Sequence, residues 1–204
     1  MIPKNLQGVN KKIMAELITK EDGRQYYRMD IAGCTRDLPI CPISDTVDIA
    51  GFVMFGDVEI TERAAEELLK RCPEHDVVVT AESKGIPLCY EMARQGVRRY
   101  VVARKGIKAY MRNPIHVEVK SITTDHVQKL FLSEEDREVI EGKRVLIVDD
   151  VISTGESLEA MEALVEKFGG NIVGRATVLA EGDAANRDDI IFLEPLPLFV
   201  KEKA

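Results

Sequence analysis

Short apolar runs that alternate with amphipathic stretches after residue 60 constrain the fold of this chain most. The runs Val77–Val79 and Val145–Val148 contain only apolar residues, which is typical of strands buried on both faces of a sheet. Apolar residues recur at helical spacing over Ile86–Gln95 and from Leu158 to Phe168. Further strand-like runs are Tyr100–Val102, Ile172–Val173, Ala176–Leu179 and Ile190–Leu193. This order predicts an α/β fold, with a mostly parallel twisted sheet flanked by helices on both faces.

Two segments depart from this rhythm. In residues 1–60, Lys11–Ile18 predicts a short helix and Gln25–Ile31 a strand, and the prolines that follow favour loops and short strands. Residues 106–135 form a long irregular segment, of the kind that serves as a lid or an arm. We therefore predict a small N-terminal region over residues 1–60 and a core over residues 61–204, whose first helix has Thr61 as its N-cap.

Composition excludes several classes of protein. Subtracting 35 acidic from 28 basic residues gives a net charge of −7, which has the wrong sign for a dedicated nucleic-acid binder. The longest stretch without a charged residue, Ile49–Gly56, is far shorter than the roughly 20 apolar residues of a membrane span. The N-terminus lacks the pattern of a secretory signal, so we expect a cytoplasmic protein. The four cysteines include no C-x-x-C pair, which favours reduced thiols over a metal site.

The segment Val145–Ser157 carries the residues with the clearest chemistry. Asp149 and Asp150 follow a buried strand, at the carboxyl end where open α/β sheets bind ligands. The polar turn after them runs directly into a helix, and backbone N–H groups at such a turn bind anions. Its members are Ser153, Thr154, Gly155, Glu156 and Ser157. The phosphate-loop pattern of nucleoside triphosphatases is absent, so two carboxylates beside a phosphate cradle favour a sugar phosphate such as ribose 5-phosphate.

This segment resembles the phosphoribosyl-diphosphate signature of type I phosphoribosyltransferases, and other parts of the chain agree. The loop Ala81–Gly85, with Ser83, Lys84 and Gly85, resembles the pyrophosphate loop of the family. Val102–Lys105 resembles the strand end that offers cations, here Arg104 and Lys105, to the same group. The resemblance covers roughly residues 60–180. It implies that residues 1–60 form a hood over the base, and that residues 106–135 form a flexible catalytic loop.

The resemblance implies a reaction in which a base is joined to the ribose C1 of phosphoribosyl diphosphate and pyrophosphate leaves. Lys84, Arg104 and Lys105 are then expected to hold the leaving group as catalytic or binding cations. Asp149 and Asp150 are expected to orient the ribose and to contact Mg²⁺ indirectly, through ribose hydroxyls or water. The turn 153–157 is expected to anchor the 5-phosphate. The family also implies a homodimer.

The base is predicted from smaller differences within the family. Thr80–Pro87 resembles the purine enzymes, and Ser153 stands where many 6-oxopurine enzymes carry an aspartate, which favours adenine as the substrate and AMP as the product. The archaeal hypoxanthine branch also lacks that aspartate, and no glutamate stands near Thr124, where many adenine enzymes carry one. Glu118 and Asp125 are the loop acids before residue 134, and Glu118 is either a substitute proton relay or a solvated carboxylate. Hypoxanthine, guanine or xanthine is the alternative substrate.

Two other classes of protein are alternatives, and one residue departs from the family pattern. An acid pair after a buried strand also opens response-regulator receiver domains, but those place it near the start of a domain, whereas Asp150 lies late in this chain. A regulator that senses phosphoribosyl diphosphate without turnover is the second alternative. Glu156 stands where the family often has a small residue, and its carboxylate must point away from a bound phosphate.

Overall fold

The computed structural model describes residues 16–120 and 127–201, and the elements within them follow one another in a strand–helix order. In chain order they are β1 (Glu16–Thr19), β2 (Gln25–Ile31), β3 (Cys34–Pro42), β4 (Val47–Ala50), α1 (Val58–Leu69), β5 (Val77–Ala81), α2 (Ile86–Gln95), β6 (Tyr100–Ala103), β7 (Ile115–Lys120), β8 (Val127–Leu132), α3 (Glu135–Ile140), β9 (Arg144–Ile152), α4 (Glu156–Lys167), β10 (Asn171–Glu181), a 3₁₀ turn (Gly182–Asn186), β11 (Ile191–Leu196) and β12 (Leu198–Val200).

A five-stranded parallel sheet lies at the centre, in the order β11-β10-β9-β5-β6. In β9, Val145 and Ile147 pack into one core, while Leu146 and Val148 pack into the other. All four side chains are buried, because successive residues of a strand point to opposite faces and both faces are covered by other elements. The predicted α/β architecture is confirmed, and the parallel strands direct their carboxyl ends to one edge.

The helices complete the two cores. Ile60 and Leu68 of α1 and Leu88 and Met92 of α2 pack on one face of the sheet, and the apolar stripe of α4 packs on the other. The predicted bounds of α2 are confirmed. The prediction that Thr61 is the N-cap of α1 is wrong, because Asp57 accepts a hydrogen bond from the Ile60 amide, whereas the Thr61 hydroxyl donates to the Asp57 carbonyl within the helix.

A second sheet is antiparallel, in the order β1-β2-β3-β4-β12, and we call it the hood sheet. The predicted strand Gln25–Ile31 is confirmed as β2. The predicted helix Lys11–Ile18 is wrong over residues 16–18, which belong to β1 and pair with β2, and its residues 11–15 lie outside the described residues. Because β12 pairs with β4, the hood sheet also takes a strand from residues 198–200. The boundary at residue 60 stays a prediction.

The segment 106–135 contains the antiparallel hairpin β7–β8, and residues 121–126 between the two strands lie outside the described residues. Leu130 and Leu132 are buried against the α4 face of the core. The Arg104 and Phe131 backbones exchange two hydrogen bonds, of 2.9 and 2.8 Å, so the hairpin base is fixed to the end of β6. Within the described part of the chain, no helix is long and apolar enough to cross a membrane.

Candidate active site

The acid pair and the loop after β5 meet at the carboxyl edge of the central sheet. Asp150 is buried, with its side chain 4% exposed, and its Oδ2 lies 2.8 Å from Nζ of Lys84, whose side chain is 47% exposed. This ion pair joins the two neighbouring strands β5 and β9 at their ends. Burying a carboxylate is costly without a partner charge, so Lys84 offsets part of the desolvation cost of Asp150. The structure therefore brings together the loop that the sequence assigned to the pyrophosphate and the acid pair that it assigned to the ribose.

Gly85 allows this close approach because it has no side chain. A Cβ added there would lie 2.8 Å from Asp149 Oδ1 and 3.3 Å from Asp149 Cα, and it would also clash with the Thr80 hydroxyl. The φ of Gly85 is −72°, which any residue adopts, so the position requires glycine for space alone. Gly85 is also the N-cap of α2, and Asp149 consequently lies against the start of that helix.

Asp149 has an unusual environment for a carboxyl group. Burial, the neighbouring Asp150 charge and a hydrogen bond shared with Asp150 raise the pKa of Asp149 to about 8. The Asp150 amide donates to Asp149 Oδ1 at 2.9 Å, and together with the Lys84 charge this opposes the rise. The two adjacent carboxyls therefore carry fewer than two negative charges near neutral pH. A carboxyl pKa raised by burial and a neighbouring charge is common at functional sites.

A cluster of cations surrounds Glu82 at the ends of β5 and β6. Glu82 Oε1 lies 3.3 Å from Arg104 Nη1 and 3.7 Å from Lys108 Nζ, while the Lys105 amide donates to Oε2 at 3.1 Å. The hydrogen bond from the Lys105 amide, followed by the charges of Lys108 and Arg104, lowers the pKa of Glu82. Lys108 was not among the sequence candidates, although it follows Arg104 and Lys105 in the same short stretch. The side chains of Ser83 and Lys105 are exposed to solvent.

The turn 153–157 follows β9 and leads into α4. Gly155 is the N-cap of α4 with a φ of +88°, a left-handed conformation that favours glycine. Among the described residues, the amides of Thr154 and Gly155 donate to no backbone acceptor, and the first amides of a helix have no partner within it. Ser153, Glu156 and Ser157 are half-buried and Thr154 is exposed. The turn thus presents backbone donors at the same edge as the acid pair.

Arg187 also lies at this turn, and sequence reasoning missed it. A Cβ added to Gly155 would lie 2.8 Å from Arg187 Nη1, so the guanidinium packs directly on the turn. Arg187 comes from the connection between β10 and β11, more than thirty positions away along the chain. Nothing local in the sequence links it to the turn, because only the adjacency of β9 and β10 in the sheet brings the two together.

The donor set fits a divalent cation only in part. Asp150 Oδ2 is buried and accepts no hydrogen bond of good geometry from the described residues, despite the nearby Lys84 charge, so it is suited to a cation. Within residues 16–120 and 127–201, no three or more His, Cys, Asp or Glu side chains are grouped so that they could hold a metal ion. A hard ion such as Mg²⁺ takes six oxygen ligands and keeps several waters. The two aspartates would therefore hold it indirectly, through water or through hydroxyls of a substrate that supplies the remaining ligands.

The sequence of this chain is similar to those of known phosphoribosyltransferases. A model of the phosphoribosyl transferase domain matches residues 54–197. The chain is 29% identical to the adenine phosphoribosyltransferase of Thermotoga maritima, over 83% of this chain and 91% of the relative. It is 33% identical to the hypoxanthine/guanine phosphoribosyltransferase of Methanococcus voltae, over 72% of this chain and 73% of the relative.

Regulators and crystal structures also match. The chain is 32% identical to the purine biosynthesis transcriptional repressor PurR of Bacillus subtilis over 53% of its own length, and it spans 38% of that repressor. The chain therefore covers about two fifths of the regulators that it matches. The crystal structure of adenine phosphoribosyltransferase from Thermoanaerobacter pseudethanolicus superposes with a TM-score of 0.57 at 25% identity, over 68% of this chain and 82% of that one.

Proposed function

Because the matched domain covers most of its length, the chain belongs to the phosphoribosyl transferase domain family, and we propose that it transfers the phosphoribosyl group of phosphoribosyl diphosphate to adenine. The products are AMP and pyrophosphate. The observation that carries the proposal is the Lys84–Asp150 ion pair, which joins a cation-bearing loop to a ribose-binding acid pair at one edge of the sheet. Adenine is favoured because the alignment with the adenine phosphoribosyltransferase of Thermotoga maritima covers most of both chains.

The reaction breaks the bond between ribose C1 and the pyrophosphate oxygen, so negative charge grows on pyrophosphate and positive charge on the sugar. Lys84, Arg104, Lys105 and Lys108 supply cations around the place where the leaving group departs, and the backbone of the 83–85 turn supplies N–H donors. Fixed charges that face a developing charge lower the barrier without reorganising during the step. Mg²⁺ bound with the substrate would supply further stabilisation of the pyrophosphate charge.

The acid pair has a different task in this proposal. Asp149 and Asp150 accept hydrogen bonds from the ribose 2- and 3-hydroxyls, which fixes the ring relative to the leaving group. In this structure Lys84 forms an ion pair with one oxygen of Asp150. When the substrate binds, the ribose hydroxyls donate hydrogen bonds to the Asp150 carboxylate, and Lys84 moves to contact the pyrophosphate. The turn 153–157 binds the 5-phosphate, and this remote binding energy holds the reacting carbon in place.

Closure of the hairpin over the site would exclude water from the cationic sugar. Within that hairpin, Glu118 is an exposed carboxylate on β7 that forms an ion pair with Lys129. The hydrogen bond from Lys129 lowers the pKa of Glu118, which makes it a poor proton donor. The interpretation of Glu118 as a solvated loop carboxylate is therefore preferred, and Asp125 lies outside the described residues.

An assay of pyrophosphate release tests the proposed function. The purified chain is supplied with phosphoribosyl diphosphate, Mg²⁺ and, in turn, adenine, hypoxanthine, guanine and xanthine. We expect release with adenine and formation of AMP. Release with the 6-oxopurines alone would favour the alternative that the Methanococcus voltae relative suggests.

The similarity to PurR favours a second candidate, a regulator that binds phosphoribosyl diphosphate without turning it over. Binding of phosphoribosyl diphosphate with no release of pyrophosphate for any base, together with retention on DNA at moderate salt, would support it. The net charge of −7 weighs against a DNA contact by this chain.

A homodimer and a cytoplasmic location remain part of the proposal. The exposed apolar side chains of Val58 and Tyr90 line one groove together with Asp57, Glu62 and Glu91, and a second copy of the chain would cover these two apolar groups. Sedimentation velocity on the purified chain tests the dimer.

A further inference from the structure

Arg187 is held in one orientation by its neighbour Asp189. Its Nε donates to Asp189 Oδ1 at 2.8 Å and its Nη2 donates to Asp189 Oδ2 at 2.7 Å, a bidentate pair. The hydrogen bonds that Arg187 donates to Asp189 also raise the pKa of Arg187, so the guanidinium is always charged. These two bonds use one edge of the planar group and direct Nη1 towards Gly155.

The turn 153–157 lacks a cation of its own. From Val145 to Glu166 the sequence contains no lysine or arginine, while Asp149, Asp150 and Glu156 lie at or next to the turn. A phosphate dianion bound at this turn would meet several carboxylates of like charge. Backbone amides supply partial positive charge only, and a dianion among carboxylates requires a full positive charge nearby. Among the described residues, the arginine that reaches the turn is Arg187.

We propose that Arg187 is a substrate-binding residue whose Nη1 donates to the 5-phosphate of the substrate, and that Asp189 positions it. The inference rests on the proposed function, because that function places the 5-phosphate at the turn 153–157. Arg187 then acts with the amides of Thr154 and Gly155 on one phosphate group, and it has no contact with the pyrophosphate, which lies beside Lys84 and Arg104.

A purely structural role is the competing explanation, in which Arg187 only ties the 3₁₀ turn to α4. Arg175 provides a matched control for that explanation, since it forms an ion pair with Glu162 of the same helix. Arg175 and Arg187 are similarly exposed, at 29% and 32% of the side chain, and the Glu162 charge acts on Arg187 as well. Arg175 lies in the middle of β10, away from the carboxyl edge of the sheet.

Calorimetric titration with ribose 5-phosphate tests the proposal on the wild type, Arg187→Gln, Arg187→Lys and Arg175→Gln. We expect Arg187→Gln to bind ribose 5-phosphate about 10- to 100-fold more weakly, as for a lost charge-assisted hydrogen bond. Arg187→Lys should recover part of the affinity, and Arg175→Gln should bind within about twofold of the wild type. Pyrophosphate with Mg²⁺, titrated in parallel, should bind the wild type and Arg187→Gln alike.

The outcomes distinguish a failure of the role of Arg187 from a failure of the proposed function. Equal losses in Arg187→Gln and Arg175→Gln, or no loss in Arg187→Gln, would overturn the role of Arg187 and leave the proposed function in place. Weaker pyrophosphate binding by Arg187→Gln with unchanged ribose 5-phosphate binding would also overturn it, since the arginine would then serve the leaving group. A wild-type chain that binds neither ribose 5-phosphate nor pyrophosphate would overturn the proposed function and this inference together.

Discussion

Lys84 Nζ lies 2.8 Å from Asp150 Oδ2, so the cation of the loop after β5 neutralises a buried carboxylate at the end of β9. The contact is long-range, since 66 positions of the sequence separate the two residues. It exists because β5 and β9 are adjacent parallel strands. In this structure the two groups are paired by charge. In the proposed reaction each has a different partner, and the variants below separate those two roles.

Lys84→Ala and Asp150→Asn should each lower turnover with little loss of folded protein. For Lys84→Ala we expect a fall in kcat of about 100-fold or more, the usual cost of removing one stabilising donor from a developing anion. Asp150→Asn should lower turnover because the ribose hydroxyls lose a charged acceptor. Lys70→Ala is the control, because Lys70 is an exposed lysine that forms ion pairs on α1, far from the acid pair. Wild-type turnover in both site variants, measured by pyrophosphate release, would refute their roles.

Asp149→Asn should change how stability depends on pH. The folded-state pKa of Asp149 is raised to about 8, above the value of about 3.9 for an unfolded aspartate. Between these values the unfolded state loses its proton while the folded state keeps it, so the free energy of unfolding of the wild type falls as pH rises, by at most about 1.4 kcal/mol per pH unit. Thermal unfolding should therefore show that the stability of Asp149→Asn, relative to that of the wild type, rises from pH 4 to pH 8.

Asp76→Asn is the control for that experiment, because the pKa of Asp76 is shifted in the opposite direction and affects stability in another pH range. The Arg144 guanidinium lowers the pKa of Asp76 to about 2. The stabilisation from Asp76 is present above about pH 4 and is lost as pH falls through 2. The difference between Asp76→Asn and the wild type should thus stay constant from pH 4 to pH 8. A constant difference for Asp149→Asn over the same range would contradict the raised pKa.

Gly85→Ala should destabilise the protein and reduce activity together. The added methyl group would meet the Asp149 backbone and carboxylate, so either the loop 82–85 or the end of β9 must move. Overpacking of this kind costs about 1–3 kcal/mol. Gly106→Ala is the matched control, since no atom lies within 4 Å of its added Cβ. Urea unfolding should show a loss for Gly85→Ala and none beyond about 0.5 kcal/mol for Gly106→Ala.

Magnesium should bind with the substrate rather than before it. The described residues offer two adjacent aspartates and no group of three ligands, so Mg²⁺ alone should leave the thermal midpoint nearly unchanged. Mg²⁺ with phosphoribosyl diphosphate should raise the midpoint by more than phosphoribosyl diphosphate with EDTA. A large shift with Mg²⁺ alone would show a preformed metal site and would contradict the shared coordination.

The segment from β9 to α4 could be predicted from the sequence because each step has a local signal. Val145–Val148 is apolar on both faces, the acid pair ends the apolar run, and Gly155 permits the left-handed turn before the helix. Ile172–Val173 and Ala176–Leu179 were predicted as two strands but are one, β10, with an irregularity in its pairing between Ile172 and Gly174.

Contacts set by tertiary structure could not be predicted in this way. The hairpin β7–β8 was missed because the segment between its strands contains no glycine or proline turn signal. Thr61 and Asp57 are both good N-caps, and only the start of α1 at Val58 decides between them. The approach of Arg187 to Gly155 and the raised pKa of Asp149 depend on which strands are neighbours and on how deeply the acids are buried. Neither property is encoded in a local pattern.

A crystal structure with AMP would test the site most directly. We predict that the ribose hydroxyls lie within hydrogen-bond distance of Asp149 and Asp150, that the phosphate lies on the amides of the turn 153–157, and that Lys84 Nζ has moved away from Asp150. AMP bound elsewhere, or bound with its phosphate away from that turn while Lys84 and Asp150 remain paired, would contradict the account.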